Sequence, residues 1–152
     1  MLTADAVTRE LETVHDPEIV KVSIVDLGMV SEVRVSDGTI LITLTPTFVG
    51  CPAQSIIQRL AEERIQKAFP GVSVTVEMNL RDPWHTDRIT PRGRQGLIES
   101  GIAPPGTDLN DVACPFCGSR EAVMENLFAS TSCRSLYYCR GCQNPFEAFK
   151  PL

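Results

Sequence analysis

The sequence predicts an α+β protein: a small mixed sheet with packed helices, followed by a small zinc-ribbon-like β module. Three observations predict it. Strand-like alternation in residues 29–45 and 72–78 flanks one long stretch of helical spacing, so strands and helix share the first 80 residues. Five cysteines, Cys114, Cys117, Cys133, Cys139 and Cys142, crowd into residues 114–152, leaving Cys51 alone upstream. The intervening stretch is broken by proline and glycine. The expected division is therefore an α+β domain over 1–80, a covering segment with a helix and Pro-rich linker over 81–113, and a four-cysteine module over 114–152.

Taken in order, Thr3 to Val14 places Val7, Leu11 and Val14 on one side of a short helix, with Thr3 or Asp5 as its cap. His15-Asp16-Pro17-Glu18 ends it, because a residue before proline is pushed out of the helical region. Val22 to Val25 reads as a short extended segment broken at Asp26-Leu27-Gly28. Met29 to Val35 and Thr39 to Thr45 are strands joined at Asp37-Gly38, a strong hairpin signal. From Pro52 to Phe69, Ile56, Ile57, Leu60, Ala61, Ile65 and Ala68 recur at helical spacing. Pro52 is expected at the first helical position and Cys51 at the N-cap. Pro70-Gly71 stops this helix, and Val72 to Met78 alternates as a half-buried strand. Thr90-Pro91 opens a second helix that closes at Gly101, although Gly93 and Gly96 inside it lower its propensity. Ile102 to Gly106 reads as a semi-rigid connector. Trp84 and His85 precede this helix and are expected to cover the first domain.

Composition narrows the function classes. Hydrophobic content of 43% with 22% charged residues describes a globular chain, with no apolar run long enough for a membrane span. The net charge of −5, with no clustered Lys and Arg, argues against nucleic acid as the main partner. The N-terminus shows no basic region followed by an apolar core, so a cytoplasmic, reducing location is expected. There, paired cysteines are more often metal ligands than disulfides.

Cys114-Pro115-Phe116-Cys117 and Cys139-Arg140-Gly141-Cys142 are two C-x-x-C pairs at a spacing close to that of four-cysteine zinc sites. Two intervening residues let a tight turn aim both sulfurs at one ion. A structural zinc is expected, and a module with so few apolar residues needs it to fold. Tetrahedral sulfur also suits iron, alone or in a cluster, so zinc is a preference. Cys133 stands beside a set already complete with four ligands, which favours packing or an accessory role. Cys51, at a helix start, is either a small buried residue or a low-pKa thiolate able to bind metal or attack an electrophile.

The run Asp16-Pro17-Glu18-Ile19, followed by Val22 to Gly28 and by Leu44-Thr45-Pro46-Thr47-Phe48-Val49-Gly50-Cys51-Pro52, resembles the small domain family associated with iron-sulfur cluster assembly. Over nearly its full length, including Gly101 to Pro105 and the terminal cysteines, the chain resembles the D-subunit family of bacterial phenylacetyl-CoA epoxidase (ring 1,2-oxygenase) systems. The resemblance implies an accessory protein of aerobic phenylacetate catabolism that helps mature iron-sulfur or di-iron centres. Oxygenase or reductase subunits would be its partners. It matches Cys51 to the family's functional thiol, with iron or an iron-sulfur cluster held transiently, and Asp16, Glu18 and Asp26 to its polar motif positions. Val20-Lys21 departs from related sequences, which often carry proline there. On the residues alone, Asp16 and Glu18 equally suit turn formation, and Asp26 a backbone cap. A free-standing thiol enzyme has only His15 and His85 to offer as a base. The chain also lacks the two Glu-x-x-His motifs that hold a di-iron pair in a helical bundle. A non-catalytic accessory subunit is the expectation; self-association stays open.

Overall fold

The structure, a computed structural model of the chain, describes residues 2–48 and 53–151. It opens with α1 (Ala4–Leu11), capped by Thr3, whose side chain accepts from Ala6 N. Val7 and Leu11 are buried on its inner face, and the helix stops three residues earlier than the apolar spacing suggests. A two-stranded hairpin follows, β1 (His15–Asp16) and β2 (Ile19–Ser23).

Next come β3 (Val30–Ser36) and β4 (Thr39–Leu44), antiparallel across Asp37 and Gly38. Both turn residues have positive φ, 36° and 76°, the conformation that a two-residue hairpin matched to strand twist demands. Helix α2 (Gln54–Ala68) then crosses over to β5 (Ser73–Met78), which pairs parallel with β4. The resulting three-stranded sheet, in the order β3-β4-β5, is mixed. Ile40, Ile42 and Leu44 on β4 and Val76 on β5 bury one face, and Ile57, Ala61 and Ile65 of α2 belong to the same core. Fully burying each isoleucine stabilises the fold by about 2–3 kcal/mol.

Helix α2 begins later than expected. Its N-cap is Ala53, which makes no side-chain cap bond, so the predicted placement of Pro52 at the first helical position does not hold. Cys51 and Pro52 themselves lie outside the described residues.

Helix α3 (Pro91–Glu99) forms as its flanking signals demand: Thr90 caps it by accepting from Gly93 N, Pro91 opens it, and Gly101 follows at φ 78°. Gly93 and Gly96, unfavourable on propensity, let the helix approach the first domain. A Cβ at Gly93 would lie 2.5 Å from Asp26 O, and one at Gly96 2.7 Å from Lys21 O.

The stretch expected as a connector is partly a strand. Residues Ile102–Ala103 form β6, which pairs parallel with β9 (Pro145–Phe149); β8 (Arg134–Cys139) and β7 (Ala122–Asn126) complete a sheet in the order β6-β9-β8-β7. Beneath it, Tyr137 stacks on Phe146 with ring centroids 5.6 Å apart, and its hydroxyl donates to Leu109 O at 2.6 Å.

The two sheets share a core. Trp84, Ile89, Leu97, Ile102, Cys133 and Phe149 join the hydrophobic cluster built by α1, α2, β2 and β4. Among the described residues, no helix is long and apolar enough to cross a membrane.

Candidate metal centre and assembly site

The two C-x-x-C turns are built alike. In the first, Cys114 N donates to Ser119 O (2.8 Å) and Gly118 N donates to Cys114 O (2.9 Å). In the second, Cys139 N donates to Asn144 O (2.9 Å) and Gln143 N to Cys139 O (2.9 Å). Each turn closes on a left-handed residue, Gly118 at φ 77° and Gln143 at φ 60°. This repeated local geometry aims all four sulfurs inward.

The Sγ atoms of Cys114, Cys117, Cys139 and Cys142 all lie within 4.8 Å of one another. Cys114 and Cys142 sulfurs are 3.7 Å apart, and those of Cys117 and Cys139 are 3.6 Å apart. Zinc bonds thiolate at about 2.3 Å, which fixes the edge of a ZnS4 tetrahedron at about 3.8 Å. The observed edges fit that ion. Backbone donors point at the sulfurs: Phe116 N lies 3.4 Å from Cys114 Sγ, and Cys142 N lies 3.5 Å from Cys139 Sγ. Such donors spread the negative charge that a ligated thiolate set carries.

The thiols titrate apart. The Asn144 amide, donating to Cys142 Sγ at 3.4 Å, draws that thiol down against burial; bonds from the other three thiols help bring it to about 7. At Cys117 the strongest influence, the Ser119 N–H, also pulls downward, but burial and the three neighbouring thiols together push it up to about 11. One sulfur of the set is thus ready as thiolate near neutrality, and metal binding must displace protons from the rest.

Cys133 stands outside this set. It is buried in the shared core, its Sγ lies 3.1 Å from Thr131 Oγ1, and burial pushes its thiol up. Its neighbour Arg134 is the more informative residue. This side chain, only 8% exposed, pairs through Nη1 with Glu147 at 2.9 Å and through Nη2 with Glu18 at 3.4 Å, while Nε donates to Thr131. Burying an arginine costs several kcal/mol unless its charge is matched, and here carboxylates from both sheets match it. Nothing in the sequence marked Arg134.

The polar motif positions of the first domain have distinct surroundings. Asp16 is buried in β1, and its Oδ1 accepts from Glu18 N at 2.9 Å, the local turn bond that Asp before proline favours. Burial raises its pKa. Glu18, exposed, reaches Arg134. Asp26 is the hub for α3: one carboxylate oxygen accepts from Thr90 Oγ1 (2.8 Å), the other from Ser23 Oγ (3.2 Å) and Arg92 Nε (2.8 Å). The four-cysteine set is the one metal-ligating cluster found among the described residues, so Asp16, Glu18 and Asp26 are not gathered there. Cys51 lies outside the described residues.

Glu12-Thr13-Val14-His15 has Glu-x-x-His spacing, but Glu12 pairs with Arg92 and the His15 Nδ1–H donates to Val20 O. His85 caps a single 3-10 turn, Thr86–Arg88, from the exposed surface.

The chain just ahead of Cys51 borders a pocket of about 410 Å³. Pro46 and Phe48 form one side, and the strap Asn79 to His85 the other. Trp84 is held in the strap by its Nε1–H, which donates to Leu27 O at 2.8 Å. This sole tryptophan covers the first domain, as its position in the sequence predicts.

Fold and cysteine geometry together define a cluster-assembly-type α+β domain joined to a zinc ribbon. Family models match both parts: residues 4–78 fit the iron-sulfur cluster assembly protein family and residues 104–150 the PaaD zinc beta ribbon domain. The candidate D subunit of the 1,2-phenylacetyl-CoA epoxidase of Escherichia coli strain K12 is 38% identical over 92% of this chain and 88% of its own. An Fe-S protein maturation auxiliary factor of Porphyromonas gingivalis is 29% identical over 66% of this chain and 92% of its own. The crystal structure of a DUF59 domain from Bacillus anthracis superposes with a TM-score of 0.58 at 29% identity, over 62% of this chain and 90% of that one. The chain belongs to the D-subunit family of phenylacetyl-CoA epoxidases, in which an iron-sulfur assembly domain carries a zinc ribbon. This membership supports a maturation or accessory role.

Proposed function

We propose that the protein matures a metal centre of a phenylacetyl-CoA epoxidase (ring 1,2-oxygenase) system, serving its oxygenase or reductase subunits. The observation that carries this reading is the pairing, in one chain, of an assembly domain with a four-thiol ribbon, as in the Escherichia coli relative. The work divides by coordination. Cys114, Cys117, Cys139 and Cys142 hold zinc in a closed structural site, and zinc supplies folding energy there. Cys51 serves as the thiol that takes iron or an iron-sulfur cluster as cargo, a task that needs incomplete coordination. Asp16, Glu18 and Asp26 keep the domain in shape around it. The α+β domain over 1–80 handles cargo, and the module over 114–152 braces it.

The test is the metal content of the oxygenase and reductase subunits purified from cells that carry wild-type protein, no protein, or Cys51→Ser. Iron per subunit should fall in the latter two and be restored by wild type. Full iron in all three strains would end the maturation reading.

A further inference from the structure

A factor that delivers cargo must hold its client beside the delivering thiol. The pocket bordered by Pro46 and Phe48 is placed for that, because Cys51 follows Phe48 by three residues and three residues span at most about 11 Å. Its walls are apolar: Pro46, Phe48, Leu80, Pro83 and Trp84. Its floor is firm, since Trp84 is buried, hydrogen-bonded to Leu27 O and backed by Phe149. Its rim is not satisfied. Leu80 is 57% exposed, more than its burial-prone side chain favours without a partner.

The charges at the mouth are selective. Asp82 accepts from the Asn79 amide at 2.9 Å, so its carboxylate is occupied within the strap. Arg81 lines the pocket with an exposed guanidinium that makes no ion pair among the described residues. An apolar slot with a free guanidinium at its lip is complementary to a large apolar side chain next to a carboxylate. The slot opens to solvent beside an exposed leucine, which suits a side chain projecting from a polypeptide whose backbone stays outside.

We propose that this pocket is the client-docking site, receiving an aromatic or large aliphatic side chain of the client polypeptide while an adjacent Asp or Glu pairs with Arg81. The proposal rests on the maturation reading and names the partner chemistry of that site.

The experiment uses the full zinc-loaded chain and the emission of Trp84, its single tryptophan. The probe is an end-blocked tetrapeptide containing phenylalanine followed by aspartate, with controls in which alanine replaces the phenylalanine or asparagine the aspartate. A saturable emission change is expected with the first peptide, weakened about tenfold or more in either control and in Leu80→Glu and Arg81→Glu. Both positions are exposed, so these variants should fold and keep the emission of the free wild type. Equal responses across peptides or variants, or none, would overturn the proposal. A second arm measures iron in the oxygenase and reductase subunits from cells carrying Leu80→Glu, Arg81→Glu or Cys51→Ser. Loss in all three supports docking. Loss with Cys51→Ser alone removes the docking site and leaves the maturation reading standing. If iron is full in every strain, the maturation reading fails, and the peptide titration alone decides whether the pocket binds.

Discussion

The indole of Trp84 lies against the ring of Phe149, with centroids 5.7 Å apart and planes tilted by 48°. One residue belongs to the strap over the first domain and the other to β9 of the ribbon sheet. The ribbon therefore forms part of the wall behind the pocket next to Phe48. Its four-thiol site and that pocket are connected through a single strand.

Removing the metal should be visible at Trp84. Chelation of zinc, or Cys117→Ser, frees the turn that leads through Asn144 into β9, and Phe149 loses its seat. The expected outcome is a red-shifted tryptophan emission that returns when zinc is restored. An unchanged spectrum after proven metal loss would show that β9 docks without the metal.

The two classes of cysteine should separate cleanly. Cys117→Ser removes a ligand and should abolish stoichiometric zinc. Cys133→Ser should retain about one zinc per chain, because its thiol belongs to the core. Placing a hydroxyl there should cost about 1–2 kcal/mol in denaturant unfolding. Metal analysis beside a urea titration reads both effects, and zinc loss in Cys133→Ser would put that residue in the site.

Gly96→Ala sets two effects against each other. Helix propensity alone would reward alanine by about 1 kcal/mol. The added Cβ, however, would lie 2.7 Å from Lys21 O and 2.8 Å from Val22 Cγ2, and backbone cannot yield as a flexible side chain does. Overpacking of this kind costs about 1–3 kcal/mol. The clash wins, so the variant should unfold at lower urea, whereas Gln95→Ala on the exposed face should stay within about 0.5 kcal/mol of wild type. A stabilised Gly96→Ala would mean that α3 stands off β2.

Asp16 supplies a pH signature. Burial raises its pKa above the ordinary 3.8, so the folded chain holds that proton more tightly than the unfolded chain does. At neutral pH its charge is a cost. As pH falls through the raised value the cost is relieved, and relief is complete below the unfolded value. Asp16→Asn, whose amide oxygen can still accept from Glu18 N, lacks this term. It should match or exceed wild type at pH 7, and the difference should close on acidification. Urea midpoints of both proteins across that range test this; a constant gap would contradict it.

Local chemistry was legible in the sequence and remote pairing was not. Asp37-Gly38, Thr90-Pro91 with Gly101, and the two C-x-x-C turns each act over a few residues, and each produced the element expected. Strand β6 has only Ile102 and Ala103, with β9 as its partner more than forty residues away. No periodicity could disclose it. The same holds for Arg134, whose meaning comes from Glu18 and Glu147, and for Asp26, which reads as a cap only once Thr90 and Arg92 are beside it. Gly93 and Gly96 misled for a related reason: helix propensity weighs the missing side chain as a loss, whereas the packing of α3 onto β2 requires that loss.

The parallel pairing of β6 with β9 also sets an order of events during synthesis. Cys114, Cys117, Cys139 and Cys142 all leave the ribosome before Pro145 to Phe149. The nascent chain can thus capture its ion while β6 is still unpaired and Trp84 still lacks its backing ring. Only afterwards does β9 emerge to bind both. A ribosome-bound chain that met no metal would reach that moment with an unformed β8-β9 hairpin, exposing the apolar seat of Phe149 to cellular quality control. Metal supply during translation, more than the stability of the finished molecule, would then govern how much of this protein accumulates.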